Sequence, residues 1–294
     1  MSNISRNNTN GICTHTGSLH VIPQNIVVAI YIFILSFNII GNTIVAIVVT
    51  FHRKMQTFTN WMILNLSLAD LALGVVCIPL EIPLELNNGN WIYGKVICTL
   101  LYPLQTATVF ASVFTLTVLS FSRYRAIVCP LYEQPRKTHA KIVIVVIWFA
   151  SLIMVTPYMA VLQIDTDTDS ECRKCGATWS SSAHFTYSII SFTLQYALPL
   201  LVMTITYSLV IYDVNFKKSS LERSWSRTSA VVCRENRKLT KLLVALALIF
   251  FVCGLPFQMV VFIIPEFFRS CSSRCCCCLL YVSTVEFSSQ PHSI

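Results

Sequence analysis

The sequence predicts an all-α membrane protein, a bundle of seven transmembrane helices with its N-terminus outside the cell. Three observations carry that expectation. Of 294 residues, 55% are hydrophobic and 12% charged, with a mean hydropathy of +0.66, a balance that belongs to polytopic membrane proteins. The apolar residues also gather into seven blocks, Val27–Phe51, Trp61–Leu84, Val96–Val128, Ile142–Leu162, Phe185–Tyr212, Leu242–Ile264 and, more weakly, Cys275–Ile294. Each is near the ~20 residues that cross a bilayer as a helix. Finally, the basic residues alternate. Two (Arg53, Lys54), five (Arg123, Arg125, Arg136, Lys137, Lys141) and eight (Lys217, Lys218, Arg223, Arg227, Arg234, Arg237, Lys238, Lys241), 15 of the 21 Lys and Arg, fall in alternate connections. By the positive-inside rule those connections are cytoplasmic. The net charge of +8 is therefore a topology signal, and nucleic acid is not an expected partner.

The organisation that follows is an extracellular tail over residues 1–25 and a transmembrane domain over residues 26–294, with the seventh helix at about 275–294 and no tail beyond it. The tail has no basic start followed by an apolar run, so it does not read as a signal peptide. Two sequons, Asn3-Ile-Ser5 and Asn7-Asn-Thr9, make Asn3 and Asn7 candidate glycosylation sites, while the sequon at Asn65 lies inside an apolar span and is accidental.

The polar residues inside the spans are the next signal, because each is costly in hydrocarbon unless it has a partner or a function. The first span carries Gly41-Asn42, and Asn42 is expected to reach a polar group on a neighbouring helix or simply to pack there. The second contains Asn65 and Asp70 and ends with Glu81 and Glu85 one helical turn apart. These two acids either meet a cationic ligand group or only mark the membrane boundary. Trp91 precedes the third span and suits an interfacial belt as well as a packed loop. The third span is the longest: Cys98 and Arg123 are separated by roughly 37 Å of helix at ~1.5 Å per residue, so a cysteine stands at one membrane face and an arginine at the other.

The fourth span holds Trp148 and Pro157, and the connection after it carries Asp165, Asp167, Asp169 and Glu171, then Cys172, Cys175 and Trp179. Proline at 199 leaves a carbonyl unpaired in the fifth span, a break tolerated where neighbouring helices or water satisfy it. Residues 213–241 form a long polar, basic inner connection. Four adjacent cysteines, Cys275 to Cys278, cannot reproduce the spaced pairs of a zinc site and read as lipidated or free thiols at a membrane surface. No nucleophile–base or metal-ligand constellation recurs, so the chain is not expected to be an enzyme or to carry a cofactor.

Together the motifs resemble the rhodopsin-like G-protein-coupled receptors. Gly41-Asn42-x-x-Val45 and Asn65-Leu-x-x-x-Asp70-Leu71 match helices one and two. Asn90-Trp91-Ile-Tyr-Gly94 matches the first outer loop, and Cys98 with Ser122-Arg123-Tyr124 matches helix three. The fifth span, Phe192 to Met203 with Tyr207, is similar to neuropeptide receptors of the neuropeptide Y, neuropeptide FF and orexin groups. The resemblance implies a plasma-membrane receptor that passes an extracellular peptide signal to a heterotrimeric G protein. It implies a Cys98–Cys175 bridge, since Cys175-Gly-Ala-Thr-Trp179 resembles the corresponding receptor segment; the residues alone leave Cys172 open. It implies a sodium site at Asp70 and Ser112, joined here by Glu286, and G-protein coupling through Arg123, Tyr124 and Tyr207. Gln105 stands where amine receptors carry an aspartate, and residues 275–294 hold no lysine for retinal, so neither an amine ligand nor light sensing is expected. The likeness to the neuropeptide Y, neuropeptide FF and orexin groups implies a peptide with a basic residue near an amidated C-terminus. Its contacts would be Glu81, Glu85, Gln105, Gln195, Phe257 and Gln258.

The chain departs from the family pattern at Ser122 for the usual acid, Gly254 for the usual tryptophan, and Gln290-Pro291-His-Ser-Ile294 for Asn-Pro-x-x-Tyr. These changes raise the alternative of a receptor-like protein that is silent or constitutively active. A transporter is the rival from another class, and the internal repeats and paired broken helices it would need are not found in the sequence.

Overall fold

A computed structural model describes residues 23–52, 56–87, 89–128, 135–166 and 173–221, with isolated helical positions at 241, 244, 245, 248 and 252. The described residues form five membrane-length helices: α1 (Gln24–Phe51), α2 (Phe58–Leu86), α3 (Lys95–Val128), α4 (Lys137–Val161) and α5, which runs from Ser181–Phe192 through a widened turn to Leu198–Leu221. Each contains the corresponding apolar block almost whole and extends it by a few residues, because in a bilayer core the backbone must satisfy its own hydrogen bonds and the helix continues until water can take over. The expected sixth and seventh spans, with Phe257, Gln258 and Glu286, and the tail with Asn3 and Asn7, lie outside the described residues.

α3 is the centre of the bundle, packing against α2, α4 and α5, while α1 packs on α2. The core falls into two main layers. At the end of α3 that carries Arg123, Met62, Leu66, Val113, Leu119, Met203 and Tyr207 pack together. At the end that carries Cys98, Tyr31, Ile34, Leu73, Leu84, Trp91 and Leu101 do so. Trp91 is only 2% exposed and its ring meets Tyr93 and Tyr102, so it is a packed loop residue and not a belt residue.

Two features depart from plain helices. Wide π-type turns interrupt α2 at Leu73–Cys77 and α5 at Thr193–Ala197, each just before a proline, Pro79 and Pro199. The extra residue in the turn moves carbonyls away from a ring that cannot donate, so the break foreseen at Pro199 takes the form of a bulge. The described residues of the connection after α4 form two strands: β1 (Leu162–Thr166) and β2 (Arg173–Ala177) pair antiparallel, with Ile164 opposite Cys175, while Asp167, Asp169, Glu171 and Cys172 lie outside the described residues.

Candidate functional site

The hairpin is tied down at two points. Cys98, at the start of α3, is disulfide-bonded to Cys175 on β2, with Cα atoms 5.7 Å apart. The backbone N–H of Trp91 donates to the carbonyl of Arg173 at 2.8 Å, and the N–H of Arg173 donates to Asn90 Oδ1 at 3.0 Å. The strand thus crosses the end of the bundle held by both α3 and the loop before it.

Beneath this cover lies the meeting of α2 and α3. Gln105 Nε2 donates to Glu81 Oε1 at 3.2 Å, so two of the expected ligand residues form one interhelical pair, partly buried and partly open. Glu85 is different. It is 7% exposed and belongs to the α1–α2 contact, where Gln24 Nε2 donates to its backbone carbonyl at 3.1 Å. The two acids lie one turn apart along α2, but Glu85 is the more deeply buried of the two. Gln195 is nearly buried within the π turn of α5.

At mid-bundle, Asp70 and Ser112 are both buried. The polar contact between α1 and α2 is made by Asn38, whose Nδ2 donates to the carbonyl of Asp70 at 3.0 Å. Of the two expectations for Asn42, a polar partner on a neighbouring helix or a packing role, the structure shows its amide donating to the Asn38 carbonyl of its own helix at 3.1 Å. The side-chain oxygens of Asn38, Asn42 and Ser67 are buried and accept no hydrogen bond from the described residues. A buried carboxyl with hydroxyl and amide oxygens is a donor set that fits a hard cation. Nearer the basic end, Asn65 Nδ2 donates to Thr115 Oγ1 at 2.8 Å and Trp148 Nε1 donates to Asn65 Oδ1 at 2.9 Å. One asparagine therefore joins α2, α3 and α4, which accounts for its position in the span and removes it as a glycan acceptor.

At the basic end, Arg123 is withdrawn into the bundle, 6% exposed, beside buried Ser122. Its Nη2 donates to Thr59 Oγ1 on α2, and Tyr207 of α5 lies within its electrostatic reach. Tyr124 faces Phe121 on the other side of α3, ring centroids 6.3 Å apart. Sequence reasoning had not marked Thr59. Its only signal is a hydroxyl in the first turn of the second span, two residues after the capping Thr57.

Comparison with known proteins places this geometry. A family model described as 7 transmembrane receptor (rhodopsin family) matches residues 41–289. Tachykinin-like peptides receptor 86C of Drosophila melanogaster is 32% identical over 230 residues, covering 75% of this chain and 45% of the relative. Neuropeptide receptor 22 of Caenorhabditis elegans is 31% identical over 245 residues (79% and 56%), and Galanin receptor 2a of Danio rerio is 31% identical over 253 residues (84% and 67%). The chain spans about half the length of the first two of these relatives.

Proposed function

The chain belongs to the rhodopsin family of seven-transmembrane receptors, and from that membership we propose that it transduces an extracellular peptide to a heterotrimeric G protein. It is a multi-pass plasma-membrane receptor and not an enzyme. The observation that supports a peptide ligand best is the Glu81–Gln105 pair beneath the disulfide-held hairpin, a carboxylate and an amide presented together at the mouth of the bundle. A cationic side chain of the peptide meets Glu81, its amide end meets Gln105 and Gln195, and Phe257 and Gln258 complete the expected contacts. Glu85, more deeply buried, is the weaker candidate for the same cation. Relatives named for tachykinin-like peptides, RYamide, galanin and neuropeptide Y support the same class.

In this reading Arg123, Tyr124 and Tyr207 form the G-protein end, with Thr59 restraining Arg123 where Ser122 has no charge to do so. Ligand binding shifts a pre-existing equilibrium between packings by its differential affinity for them. A sodium ion would be held by Asp70 and Ser112, with Glu286 as a further carboxylate. Asn3 and Asn7 carry glycans on an outward tail.

The test is a G-protein activation screen with C-terminally amidated peptides that carry a basic residue near that end. An active peptide is expected to lose potency about ten- to a hundredfold with Glu81→Gln, the worth of one charge-assisted contact, and much less with Glu85→Gln. Equal potency on the unmodified receptor and Glu81→Gln refutes the assignment.

A further inference from the structure

At the basic end of the bundle, between the last turns of α3 and the first turns of α4, lies a cavity of about 560 Å³. Phe58, Phe121 and Val143 form its apolar wall, and Arg125, Arg136 and His139 line it as well. No carboxylate lines it among the described residues. The backbone N–H of Arg136 donates to His139 Nδ1 at 3.3 Å, so even the neutral imidazole carries its proton on Nε2 and remains a donor. Two arginines and a donor histidine lining a space this size supply the cationic charge and N–H donors that a phosphate takes.

The apolar wall identifies the source of that phosphate. Phe121 is 52% exposed, and Ile142, Val145 and Val146 on the adjoining stretch of α4 are exposed too, as befits a helix whose flank faces lipid. The cavity therefore opens where the hydrocarbon surface of the protein meets its basic cytoplasmic rim. We propose that this cavity binds the headgroup phosphate of an anionic phospholipid of the cytoplasmic leaflet, with the start of an acyl chain along Phe121 and Val143. The inner leaflet attracts such basic segments generally, but a cavity adds a defined position, which surface charge alone does not.

The experiment is native mass spectrometry of the full chain released from nanodiscs containing phosphatidylserine and phosphatidylcholine, with monodisperse elution and the Cys98–Cys175 bridge as checks of folding. The receptor is expected to retain phosphatidylserine selectively. Retention should fall about thirtyfold in Arg125→Gln/Arg136→Gln, which removes two cations from the cavity. Lys137→Gln/Lys141→Gln removes the same charge from the same end but not from the cavity, and should change retention clearly less than the arginine pair does. Val143→Trp, which fills the cavity and leaves every charge in place, should also release the lipid. Equal losses in the two double variants, or full retention in Val143→Trp, overturns the proposal. So does soluble glycerophosphoserine competing as well as the lipid, because the apolar wall would then contribute nothing.

Discussion

Replacing Thr59 by valine is the sharpest test of how this receptor is held at rest. The substitution keeps the shape of the side chain and removes the hydroxyl that accepts from Arg123. With Ser122 in place of an acid, Arg123 has no carboxylate neighbour on its own helix, and the Thr59 contact links it to α2. A hydrogen bond from a charged donor is worth ~1.5–3 kcal/mol, and Thr59 is only half-buried, which favours the lower part of that range. In the packing seen here the guanidinium is withdrawn into the bundle. Loss of the contact should therefore shift the population about tenfold or more toward packings that release it. The assay is ligand-free nucleotide exchange on a panel of purified G proteins, normalised to surface expression, with Thr59→Ser as the variant that keeps the hydroxyl. Basal exchange is expected to rise in Thr59→Val and to stay near its original level in Thr59→Ser. Equal basal exchange in the two variants, both well expressed, refutes the idea that this hydroxyl restrains Arg123.

Replacing either Cys98 or Cys175 by serine should cost ~2–5 kcal/mol of folding free energy and most surface expression, and non-reduced peptide mapping should recover the Cys98–Cys175 pair and no Cys98–Cys172 pair. Asn65→Leu removes two buried interhelical bonds at once; since such bonds contribute ~0.6–1.7 kcal/mol each, the purified receptor should melt at a clearly lower temperature, and an unchanged melting curve would show that the three-helix junction is not a source of stability. Sodium titration of peptide affinity should show an ion effect that is lost in Asp70→Asn and weakened in Ser112→Ala and Glu286→Asn; indifference to sodium in the unmodified receptor removes the cation from the reading of this pocket.

The span pattern was legible in the sequence because the bilayer leaves few choices. A run of apolar residues long enough to cross must hydrogen-bond within itself, so length and composition sufficed to locate α1 to α5 to within a few residues. The two ends of α3 were legible for a related reason: a cysteine and an arginine one bilayer apart cannot share a membrane face. The hairpin was not legible. Leu162–Thr166 and Arg173–Ala177 lack a strong alternating pattern, and their pairing leans on the Cys98 disulfide and the Trp91 backbone bond, contacts distant in sequence.

Which way each polar residue faces was beyond the sequence altogether. These helices are apolar nearly all round, so periodicity does not separate the lipid face from the packed face. The sequence by itself determined that Asn42, Asn65, Asp70, Glu81 and Arg123 sit in or at the edge of hydrocarbon and need partners. Only the packing of one helix on another decided who those partners are. It is Asn38 and not Asn42 that crosses to α2, Asn65 that collects both Thr115 and Trp148, Gln105 that meets Glu81, and Thr59 that holds Arg123. A buried polar group makes its hydrogen bond across a gap of about 3 Å, and that distance is set by helix crossing angles and registers that no single helix encodes.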